Sequence, residues 1–170
     1  SSLMFRFEPH CPQIEAIVQM LKESVKIAAD NNVILALENH IDYTSAEIQE
    51  ILERVGSEAL KVNFDTGNTL RMMEDPVAAA RRLGPYTVAT HTKDLDACRH
   101  VRPEEWYFFS SVPVGTGLID MRGVVLALRE SGYEGVLAVE SDHHKDNQDE
   151  DQLVAESIAY LKRLVAELEG

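Results

Sequence analysis

Apolar positions along the chain alternate between a helical and a strand period. From Pro12 to Asn31, Ile14, Ile17, Leu21, Val25 and Ala28 recur at helical spacing, with Pro12 suited to a first helical position. "DNN" breaks that helix. "VILALE" (33–38) is a short unbroken apolar run ending in Glu38, as in a strand buried on both faces. "TSAE" (44–47) is a capping box, so the next helix starts there and stops at Gly56. "KVNFD" (61–65) alternates as a strand and ends in Asp65, where Gly67 is expected to let the chain turn sharply. "EDPVAAARRLG" (74–84) has Asp75 as N-cap, Pro76 at the first helical position and Gly84 past the end. "TVATHT" (87–92) predicts a strand, and a longer loop with Trp106, Tyr107 and "VPVGTG" (112–117) follows. "IDMRGVVLALRESG" (119–132) predicts a helix and "GVLAVES" (135–141) a strand. The chain closes with a long amphipathic helix on Leu153, Val154, Ile158, Leu161, Val165 and Leu168.

The predicted order is α-β-α-β-α-β-α-β-α. Strict alternation with short strands means an α/β fold of parallel strands joined by right-handed crossovers. No linker divides residues 1–170, so one domain is expected.

Composition narrows the function classes. A chain of 170 residues with net charge −13 is large enough for a core and too acidic to suit nucleic acid, so no nucleic-acid partner is expected. No apolar run reaches the roughly 18 residues of a membrane helix, so no membrane partner is expected either. Cys11 and Cys98 form no metal-binding or disulfide spacing, and they read as reduced thiols of a cytoplasmic protein.

Each predicted strand ends in a residue that can bind a metal: Glu38, Asp65, His91 and Glu140. They lie about one βα unit apart, the last interval enlarged by the long loop. Two residues earlier, on the same strand face, stand Ala36, Asn63, Ala89 and Ala138. Small residues beneath four polar groups describe a layered barrel interior with its site at the C-terminal mouth. Three carboxylates and an imidazole brought together would repel and be costly to bury, and a divalent cation resolves both problems. Three oxygens and one nitrogen suit Mn²⁺, Co²⁺ or Zn²⁺ better than Mg²⁺.

The motifs "LALENH" (35–40), "NFDTGN" (63–68), "THTKD" (90–94), "VPVGTGLID" (112–120) and "LAVESD" (137–142) together resemble the xylose-isomerase-like (β/α)8 TIM barrels. That superfamily holds sugar isomerases and epimerases of the tagatose 3-epimerase and inosose isomerase type, and the endonuclease IV group. The resemblance implies one divalent metal, with Mn²⁺ expected and Co²⁺, Zn²⁺ or Mg²⁺ as alternatives. It places the metal on Glu38, Asp65, His91 and Glu140, and makes Glu38 and Glu140 the catalytic acid and base. The implied reaction removes a proton beside a carbonyl of a small carbohydrate-like substrate and passes through an enediolate. Asn68, His40, Lys93 and Arg99 are the candidate substrate contacts. Asn68, Thr44 and Ala97 stand where ketohexose epimerases of this superfamily carry a His, a Glu and an Arg, which argues against a free ketohexose.

The resemblance covers strands five to eight only, about half of a barrel that normally needs about 250 residues. The expectation is an N-terminally truncated barrel domain. The missing half would come from the same chain, a second copy or another chain. Isomerase or epimerase is the leading function. A dehydratase or lyase acting on a keto-cyclitol, dehydroshikimate or oxidised glycoside uses the same proton abstraction. A catalytically inactive assembly module is the non-enzyme alternative. The DNA-repair branch is disfavoured by the charge and by the absence of further histidines at strand ends.

Overall fold

The computed structural model describes residues 8–97, 108–142 and 148–169. Helix α1 (His10–Asp30) leads into β1 (Leu35–Glu38), α2 (Ser45–Val55), β2 (Leu60–Asp65), α3 (Thr66–Arg71) and α4 (Pro76–Leu83). Strand β3 (Thr87–Thr92) follows, then a hairpin of β4 (Asp94–Ala97) and β5 (Phe109–Val112), helix α5 (Met121–Glu130), β6 (Ala138–Val139) and α6 (Glu150–Glu169). Strands β1, β2, β3 and β6 form one parallel sheet in that order, so β1 and β6 are its edges. This is the expected half of a (β/α)8 barrel wall.

Local chemistry sets the boundaries. Thr44 accepts from the Glu47 N–H, and the Glu47 carboxylate accepts from the Thr44 N–H at 2.8 Å, completing the capping box. Asp75 caps α4 and Asp120 caps α5 through backbone N–H groups of Val77 and Gly123, both at 2.9 Å. The first helix starts two residues before Pro12, with Pro9 at the N-cap. Gly84 lies just past the end of α4, as expected, and there opens a short 3-10 turn.

Two faces of the sheet differ. Val62 and Phe64 are fully buried beneath Ile48, Leu83, Val124, Leu128, Leu161 and Leu164, with Leu35, Leu37, Leu137 and Val139 packed alongside. Residues of α1, α2, α4, α5 and α6 pack on this side. The other face is open: Ile34, Ala36, Val88, Val136 and Ala138 are exposed. The reading of residues 33–38 as a strand buried on both faces therefore fails, because an apolar run does not reveal what covers it, whereas an open apolar face is what half a barrel leaves. Val88 is also the extra residue of a bulge, since Val62 pairs with Thr87 while Asn63 pairs with Ala89.

The segment read as a loop between residues 95 and 118 contains the antiparallel β4–β5 hairpin. Buried Asp94 organises the loop that follows. Its carboxylate accepts the N–H groups of Leu95, Gly115 and Gly117 at 2.9 Å and of Ile119 at 3.2 Å. Burial pushes the Asp94 carboxyl up against the pull of those donors. A Cβ on Gly117 would collide with this carboxylate, so the glycine is there for close approach. Among the described residues, no helix is long and apolar enough to cross a membrane.

Candidate metal centre

The open face carries the four predicted residues to one place. Glu38, Asp65 and His91 each offer a ligand atom, and all three atoms lie within 4.8 Å of one another. Glu140 reaches the same point, with Oε2 3.2 Å from His91 Nδ1. The Nδ1 atom also lies 3.7 Å from Glu38 Oε1 and 3.8 Å from Asp65 Oδ2.

Asp65 is held chiefly by backbone. Its N–H and C=O both bond the Asn39 side chain at 2.8 Å, and its Oδ1 accepts the Asn68 N–H at 2.8 Å as N-cap of α3. The predicted sharp turn after Asp65 is this helix, and Gly67 has no left-handed backbone. Its role is different: a Cβ there would sit 3.0 Å from Cγ and Cδ of Lys93. Gly67 makes room for the Lys93 stem.

Lys93 is 3% exposed, and its ammonium lies 3.2 Å from Asp65 Oδ2, 3.0 Å from Glu140 Oε2 and 3.0 Å from Asp142 Oδ2. Burial lowers its pKa, but Asp65 and Asp142 outweigh that and the net shift is upward. Burial, with the Glu140 carboxylate beside it, pushes Asp65 up to about 7 despite the Lys93 charge. Burial also acts to raise Glu140, yet Asp65, Lys93 and His91 hold it below its ordinary value.

The residues present fit a divalent cation. Buried atoms Asp65 Oδ2, His91 Nδ1, Glu140 Oε2, Asn68 Oδ1 and Asn63 Oδ1 make no hydrogen bond among the described residues, the contacts of Lys93 with the two carboxylates being ion pairs only. Three carboxylates against one ammonium leave two negative charges uncompensated in this cluster. A double positive charge balances them, and the donor set of oxygens and one imidazole is common to Mn²⁺, Co²⁺, Zn²⁺ and Mg²⁺ in varying degree.

The four proposed substrate contacts are placed differently. Asn68 is buried and donates from Nδ2 to Glu38 Oε1 at 3.2 Å. His40 is half-exposed beside Asp42 at 3.4 Å. Lys93 is committed to the carboxylates described above. Arg99 lies outside the described residues, as do Cys98, Trp106 and Tyr107. The pattern-based reading treated Asn63 only as a small spacer, whereas its amide lies 3.0 Å from His91 Nε2. It assigned no role to Asn39, Arg71, Ser111 or Asp142. The one available signal was Asp142 standing two residues after Glu140.

The chain belongs to the xylose isomerase-like TIM barrel family, whose model matches residues 6–164. An inosose dehydratase of Clostridium tetani is 27% identical over 128 residues, covering 69% of this chain and 43% of the dehydratase. The crystal structure of a xylose isomerase domain protein from Planctomyces limnophilus superposes with a TM-score of 0.71 at 24% identity, over 92% of this chain and 54% of that one. The structure of the IOLI protein, which holds a zinc atom, matches with a TM-score of 0.71 at 20% identity, over 91% of this chain and 56% of that one. The chain spans about half the length of the curated relatives it matches. The family is one of sugar isomerases and epimerases, with inosose dehydratases among its relatives.

Proposed function

We propose that Glu38, Asp65, His91 and Glu140 hold one divalent cation, and that the chain serves an isomerase or epimerase of a sugar or sugar derivative. The observation that carries this reading is the convergence of three ligand atoms within 4.8 Å, among buried polar atoms that make no hydrogen bond and whose carboxylates have the single Lys93 ammonium as counter-charge. Such an ion, when bound, would act as a Lewis acid that polarises a carbonyl and makes the adjacent C–H more acidic.

The protein groups divide the remaining work. Asp65 is 0% exposed, so it serves as ligand and is closed to substrate, whereas the Glu38 and Glu140 side chains are each 35% exposed at the mouth. Glu38, oriented by Asn68, and Glu140, oriented by Lys93, flank the site. One carboxylate removes the proton next to the carbonyl; the other, or the same one, returns a proton to a new position. In a metal-replete whole enzyme with an identified substrate, either Glu→Gln change is expected to abolish turnover. Intact turnover in either variant would overturn the assignment.

A second reading is elimination of water from a keto-cyclitol or related substrate by the same initial proton abstraction. The inosose dehydratase relatives favour it. Turnover in D₂O distinguishes the two: isomerisation or epimerisation keeps the substrate mass apart from exchanged deuterium, whereas dehydration lowers it by one water. The cation is Mn²⁺, Zn²⁺, Co²⁺ or Mg²⁺, and the fold neighbour with zinc gives Mn²⁺ no priority.

The open sheet face, the β1 and β6 edges and an apolar groove along β1 lined by Ile17, Met20, Leu21, Leu37 and Tyr43 need covering. A complementary half-barrel, from the same polypeptide, a second copy or another chain, would close the wall and complete the substrate pocket. Intact mass with light scattering separates these sources. A monodisperse folded monomer of this length would contradict the requirement.

A further inference from the structure

Glu140 follows a strand of two residues. Strand β6 pairs with β3 only through Ala138 and Val139, and the last backbone tie is the Glu140 N–H to Thr92 C=O at 3.2 Å. Backbone alone gives a weak anchor for a group that must hold its place to a fraction of an ångström. Two residues further on, Asp142 is gripped from three directions. Arg71 at the end of α3 donates to it twice, Nη1 to Oδ2 at 2.6 Å and Nη2 to Oδ1 at 3.0 Å. Lys93 Nζ donates to Oδ2 at 3.0 Å, and Ser111 Oγ of the hairpin donates to Oδ1 at 3.0 Å. The Asp142 N–H in turn donates to Ser111 Oγ at 3.2 Å.

We propose that Asp142, clamped by Arg71, Lys93 and Ser111, is the positioning residue for Glu140. The inference rests on reading Glu140 as a metal ligand. The link is direct: the Lys93 ammonium that bonds Asp142 lies 3.0 Å from Glu140 Oε2. An ordinary surface ion pair does not describe this clamp, because the Arg71 and Lys93 side chains are only 10% and 3% exposed. A two-pronged guanidinium–carboxylate pair also fixes direction as well as distance. The hairpin thus acquires a purpose, since it delivers Ser111 to the end of the weakest strand.

The test uses the 170-residue chain in two measurements. In metal-free protein, D142A is expected to speed hydrogen exchange at the Glu140 amide by at least about tenfold while leaving the Asp65 amide unchanged. In Mn²⁺ and Zn²⁺ titrations, D142A is expected to weaken binding about 10- to 100-fold, the range for groups that support ligands. Adding D142A to E140Q is expected to cost nothing further, because both remove the same function. A merely structural Asp142 would instead give additive losses. R71K, which keeps the charge and loses the paired bonds, supplies a milder variant and is expected to shift both readouts in the same direction. Unchanged Glu140 exchange in both variants, or additive losses with E140Q, overturns the proposal. Accelerated exchange in a protein that binds no divalent ion would sink the metal reading while leaving the clamp standing.

Discussion

Asp65 and Glu140 end strands of the same sheet, yet they are placed by different means. Strand β2 has six residues and is paired on both sides; β6 has two and is paired on one. Asp65 is sealed, with its backbone tied to Asn39 and its side chain capping α3. Glu140 is partly open and depends on side chains gathered from α3, the end of β3 and the hairpin. The contrast teaches how one half-barrel separates duties. A ligand that only binds can be built into the backbone. A group that must also meet substrate stands at a looser edge and is steadied from beside it.

The largest effects should come from the apolar supports of the two strands. Phe64 lies fully buried next to Asp65, and Phe64→Ala is expected to cost about 3–5 kcal/mol in urea unfolding. Val139, beside Glu140 and only half-buried, should cost about 1 kcal/mol when changed to Ala. Equal costs would erase the contrast.

The pH dependence should split the same way. Burial raises Asp65 to about 7, so in metal-free protein its contribution is fully present below its ordinary value near 3.8 and is lost as pH rises through about 7. Asp65→Asn should therefore gain stability over the wild type as pH climbs from 4 to 8. Burial acts to raise Asp142, but Arg71 and Lys93 outweigh it and hold the carboxyl well below the carboxylate range. Its contribution is present above its ordinary pKa and is lost as pH falls through the depressed folded value. The deficit of Asp142→Asn should therefore shrink in strong acid. Urea titrations in chelator across this range check both signs, and parallel pH slopes in the two variants would contradict the account.

Smaller changes probe the space around Lys93. Gly67→Ala would gain about 1 kcal/mol of helix propensity, yet its Cβ would meet the Lys93 stem at 3.0 Å and Leu95 at 3.2 Å. A net loss of about 1 kcal/mol is expected in urea unfolding, together with weaker Mn²⁺ binding. Thr44→Ala breaks the capping box of α2, away from the cluster. It should cost about 1 kcal/mol in the same assay and leave metal affinity unchanged.

The four ligand candidates were legible because each closes an apolar strand pattern, and strand alternation fixes which side chains share a face. Caps at Thr44, Asp75 and Asp120 likewise carry their mechanism in local sequence. Helix α3 was not legible, since Thr, Gly and Asn are poor helix formers and the Asp65 cap stabilises it. The hairpin escaped notice because "FSSV" is short and lacks alternation; buried Ser110 and Ser111 look like loop residues. The open face was legible only from the count of strands, four where a closed barrel needs eight, because Ile34, Val88 and Val136 are apolar whether or not anything covers them. The clamp was invisible for another reason: Arg71 and Asp142 lie 71 residues apart, and only the fold brings them together.

The central claim is that these strand ends hold a divalent cation. Elemental analysis of the purified chain, with calorimetric titration of the chelator-treated protein by Mn²⁺ and Zn²⁺ at neutral pH, tests it most directly. The account predicts a single divalent ion per chain and binding that Asp65→Ala abolishes. No stoichiometric metal, together with no measurable affinity for either ion, would contradict it.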